Sequence, residues 1–96
     1  MKATIDNLLD DINKSERTEV RITIHTGSEV IIKPYYYTKL RLSKDSKGTI
    51  ALGNYESKEG YIITDEHEIV KAEGDQGAIT YHISKDGISL VDVFIN

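Results

Sequence analysis

The chain has 96 residues, enough for one domain spanning 1–96 but too few to bury a deep core. Hydrophobic residues make up 39% and charged residues 29%, and there is no cysteine, which excludes disulfide and thiolate-zinc frameworks. The net charge of −4 is lopsided, with nine Lys/Arg against seven Asp/Glu in residues 1–48 and three against nine in 49–96; this argues against a densely basic DNA-binding domain.

Ile5, Leu8, Leu9 and Ile12 fall at i, i+3, i+4 and i+7, one face of an α-helix over about residues 4–14. Thr4 is its expected N-cap, and Asp6 suits the positive end of the helix dipole. Asp10, Asp11 and Lys14 fall elsewhere on the wheel. A helix this short does not persist alone in water, so it is expected to dock.

From about residue 18 the period changes to two, and a strand-rich region runs to about residue 95. Val20, Ile22 and Ile24 alternate with polar residues, and Thr26-Gly27-Ser28 reads as a turn leading into Val30-Ile31-Ile32. Pro34 lacks a backbone donor, so the chain there is expected to bend, bulge or sit at a sheet edge. Tyr35 to Ser43 alternates again, with Tyr36, Thr38, Leu40 and Leu42 on one side and Tyr35, Tyr37, Lys39 and Arg41 on the other. After a turn at residues 44–48, strands are expected around Ile50 and Leu52, Tyr61-Ile62-Ile63, and Ile69-Val70. The clearest hairpin closes the chain: Ile79, Tyr81 and Ile83, a Lys85-Asp86-Gly87 turn, then a return strand. In that strand Ile88 and Leu90 share one phase while Val91, Val93 and Ile95 share the other. A bulge near Leu90 or burial on both faces accounts for this, and the second is the expectation. Either way the core is expected to reach the C-terminal residues. The fold class is α+β, mostly β: a short N-terminal helix packed on a strongly bent antiparallel sheet or small open barrel of about six to eight strands.

The helix followed by a bent meander resembles the Sm-like fold over residues 4–72, with Tyr61-Ile62-Ile63 and Glu68-Ile69-Val70-Lys71 standing where its later strands would be. The resemblance is one of architecture. The glycine and asparagine signatures of Sm-like RNA-binding rings are absent, and the final hairpin lies outside it.

Chemistry-bearing patterns are sparse. His25, His67 and His82 have no metal-ligand spacing, and His25 and His82 sit on the polar phase of their strands. Asp65-Glu66-His67-Glu68 reads as an acidic turn, because neighbours in a strand point to opposite faces and the pattern lacks the spacing of a calcium loop. No nucleophile elbow, phosphate loop or dinucleotide fingerprint is present. No enzyme activity, metal or cofactor is expected. The notable feature is a basic and aromatic stretch, Lys33, Tyr35, Tyr37, Lys39, Arg41 and Lys44, followed along the chain by an acidic one, Glu56, Glu59, Asp65, Glu66 and Glu68. Tyr and Arg dominate protein–protein hot spots, and aromatics beside cations also bind single-stranded nucleic acid.

The sequence therefore points first to a small non-enzymatic binding protein acting on a protein partner, of which a phage or mobile-element inhibitor of a host nucleic-acid-handling machine is one instance. The alternatives are a single-stranded nucleic-acid-binding Sm/SH3-like module using the face of residues 33–47, and a homo-oligomer formed through an edge strand. No apolar run approaches the roughly 18 residues that span a bilayer, and no signal-peptide core is evident, so a cytoplasmic protein without membrane contact is expected.

Overall fold

The computed structural model describes residues 1–14, 16–26, 31–37, 41–54 and 59–96. One helix, α1 (Ile5–Asn13), precedes seven strands: β1 (Val20–Thr26), β2 (Ile31–Tyr37), β3 (Ile50–Asn54), β4 (Glu59–Ile63), β5 (Glu68–Glu73), β6 (Ile79–Lys85) and β7 (Ile88–Ile95). Five strands form an open antiparallel sheet in the order β2-β1-β7-β6-β5, and β3 and β4 pair separately. The first and last long strands are thus neighbours at the centre, with Val20 opposite Ile95 and Ile24 opposite Val91. The strands do not run as one continuous meander. The final hairpin, outside the span of the Sm-like resemblance, supplies two of the three inner strands.

Helix α1 starts where the sequence places it. Thr4 Oγ1 accepts from the Asn7 amide at 3.3 Å, and Asn7 Oδ1 accepts from the Thr4 amide at 3.0 Å, a reciprocal capping box. Asp65 adds a cap from 60 residues away, its Oδ1 accepting from the Ile5 amide at 2.9 Å. Ile5, Leu8, Leu9 and Ile12 then pack into one core with Val20, Ile22 and Ile24 of β1, Val91, Val93 and Ile95 of β7, Tyr81 and Ile83 of β6, Ile69 of β5, and Ile50, Leu52 and Ile63 of the β3–β4 hairpin. Helix and hairpin therefore lie over the same face of the large sheet.

Strand β2 passes straight through Pro34, which pairs with Thr23. Of the three options the sequence left open, the edge is the one observed, since β2 is the outermost strand and proline is tolerated there. The strand expected over Tyr35 to Ser43 is corrected: β2 ends at Tyr37, and residues 41–45 are not in a strand. The backbone of Leu42 finds its partner in a side chain instead, donating to Asn13 Oδ1 at 3.0 Å and accepting from Asn13 Nδ2 at 2.8 Å. This ties residue 42 to the end of the helix. The turn expected over Thr26-Gly27-Ser28 falls largely outside the described residues.

In the final hairpin, Asp86 and Gly87 have φ of 53° and 79°, the left-handed pair that a two-residue turn requires. Ile83 pairs with Val91 and Ser84 with Ser89, so Leu90 is the extra residue of a bulge. The expectation of two buried faces on β7 is corrected. After the bulge Val91, Val93 and Ile95 are buried, whereas Asp92 and Phe94 are half-buried and Ile88 is exposed. The core does reach the end of the chain: Ile95 is buried, and Glu19 and Asn96 exchange backbone bonds of 2.9 Å.

The two edges differ. Residues 1–3 run along β5, with the Ala3 amide donating to Ile69 O at 2.8 Å and the Lys71 amide to Met1 O at 2.7 Å. Along the outer edge of β2, no described residue makes such a ladder. Among the described residues, no helix is long and apolar enough to cross a membrane.

Candidate functional site

Most of the basic and aromatic residues singled out in the sequence lie on β2 or just beyond it. Lys33, Tyr35 and Tyr37 occupy alternate positions of β2, as the period-two reading requires. Their register partners on β1 are Ile24, Ile22 and Val20, whose side chains form the core. Ile32, Pro34 and Tyr36 pair in the same register with His25, Thr23 and Arg21. Lys39 lies outside the described residues. Arg41 is exposed beyond the end of β2. Lys44 is committed to the helix: its ammonium lies 2.8 Å from Asp6 Oδ1, and that hydrogen bond and charge hold Lys44 above the ordinary lysine value.

In the acidic segment, Glu56 lies outside the described residues and Glu59 opens β4. Asp65, Glu66 and Glu68 do come together, lining with Lys2 and His67 a depression of ≈ 550 Å³. Local structure explains two of these side chains. Asp65 caps α1, and His67 Nδ1 accepts from the Thr64 amide at 3.2 Å. Among the described residues, no group of three or more His, Asp or Glu is arranged to hold a metal ion.

Two polar clusters emerge that the linear pattern did not announce. The first is buried. Asp11, only 5% exposed, accepts a hydrogen bond from the Tyr81 hydroxyl and has Lys71 Nζ at 3.0 Å and Lys14 Nζ at 3.1 Å. Burial alone would raise the Asp11 carboxyl. The three donors outweigh it and hold the group below the usual aspartate value. The same contacts raise Lys71, and burial followed by the Asp11 bond raises Tyr81 far above the ordinary phenol range. Asp11 sits three residues after Leu8, at the border of the apolar stripe. The sequence places it outside the Ile5, Leu8, Leu9 and Ile12 stripe, and it is nevertheless buried with them.

The second cluster lies on the opposite face of the sheet. Asp92, on the central strand β7, receives His25 Nε2 from β1 at 2.9 Å on one oxygen and His82 Nδ1 from β6 at 2.7 Å on the other. One carboxylate thus spans three strands. With neutral rings these bonds place the proton on Nε2 of His25 and on Nδ1 of His82, leaving the other nitrogen of each ring as an acceptor. Two residues along β7, the Phe94 ring carries the Arg21 guanidinium at 4.8 Å from its centroid, a cation–π pair. His25 is also steadied from behind, since the Tyr61 hydroxyl of the hairpin donates to its carbonyl oxygen.

His25, Asp92 and His82 have side-chain exposures of 28%, 34% and 56%. Arg21, Thr23, Thr80, Ser84 and Phe94 around them are half-buried, so no described element covers this face. The arrangement presents an aromatic ring, a cation and two imidazoles held by mutual contacts on one face of the sheet. Among the described residues, neither imidazole of this cluster has a hydrogen bond from a serine or threonine hydroxyl. The polar phases of β1 and β6 were the available signal for His25 and His82; the register that brings both to Asp92 was not readable.

No family model, no curated protein and no solved structure matches the chain.

Proposed function

We propose that this chain is a small non-enzymatic binding protein that docks a protein partner on the outer face of its five-stranded sheet. The observation carrying this reading is the uncovered set Arg21, His25, His82, Asp92 and Phe94, held in place by contacts across β1, β7 and β6. Arginine and aromatic side chains contribute disproportionately to protein–protein affinity, and side chains already fixed in the free protein lose less entropy on binding. Partly exposed side chains spread across three strands suit a protein surface better than a small substrate, which is usually held in a concave pocket.

The experiment is a capture from native lysate with the wild-type chain and with the Arg21→Ala/His82→Ala double variant, alongside binding of single-stranded oligonucleotides at low and high salt. The reading expects one stoichiometric protein retained by the wild type and lost from the variant. It is overturned if nothing is captured, if the variant captures the same protein equally well, or if oligonucleotides bind with steep salt dependence and no protein is retained.

A further inference from the structure

We draw no further inference here: the strongest candidate, the His25–Asp92–His82 cluster on the outer face of the sheet, belongs to the site already described, and nothing in the structure shows what covers it.

Discussion

Asp11 and Asp92 each gather side chains from elements far apart in sequence, but they do so on opposite faces of one sheet. Asp11 is 5% exposed and ties α1 to β5 and β6 through Lys71 and Tyr81. Asp92 has 34% of its side chain exposed and ties β7 to its two neighbours. The chemistry is similar and the surroundings decide the consequence. Water screens the outer bonds, so they contribute little to folding. Inside, a group that loses its partner has no water to turn to, so the inner cluster fixes where the helix docks. The two aspartates therefore distinguish a face that holds the fold from the face on which the proposed docking takes place.

The largest effect that would break this division comes from the inner aspartate. Asp11→Ala leaves the Tyr81 hydroxyl without its acceptor and the Lys71 ammonium with only the longer 3.5 Å contact to the exposed Glu73, and we expect a loss of about 2–4 kcal/mol in urea unfolding. Tyr81→Phe removes one donor while Lys71 and Lys14 remain, so about 1–2 kcal/mol is expected. A loss below about 0.5 kcal/mol for both variants, within the range of ordinary surface substitutions, would remove the distinction between the faces.

Titration sharpens the same comparison. The native Asp11 carboxyl lies below its unfolded value, so its stabilisation is complete above about pH 4 and is lost as pH falls through the native value. Thermal melts from pH 7 to pH 2 should show a steeper acid decline for wild type than for Asp11→Asn. Lys71 and Tyr81 are raised, so their contributions hold below about pH 10 and fade as pH rises beyond it. The smallest effect belongs to the outer face. Asp92→Asn should change unfolding free energy by less than about 1 kcal/mol, as exposed pairs do. A larger loss would make the outer cluster a second structural clamp.

How legible these features were in the sequence depends on how local each one is. The helix stripe, the Thr4 cap and the Asp86-Gly87 turn are set by neighbours within a few residues, and they appear where the spacing predicts. The phase of Tyr35 and Tyr37 was equally plain. Which residues of β1 they pair with was not, because that depends on the register of β2 with β1. Pairing of β1 with β7 joins the two ends of the chain, so no short-range pattern reveals that His25 and His82 converge on Asp92. The buried cluster did leave one trace. Tyr81 sits between Ile79 and Ile83 on the core phase of β6, and a hydroxyl carried into a core needs a partner. Its identity as Asp11, 70 residues away, required the fold.

The most direct test of the division measures stability and partner capture on one protein, the Arg21→Ala/His82→Ala variant. The account predicts unfolding free energy within about 1 kcal/mol of wild type, as for substitutions of partly exposed side chains outside the core, together with loss of the captured partner. Wild-type capture by a stably folded variant would contradict it.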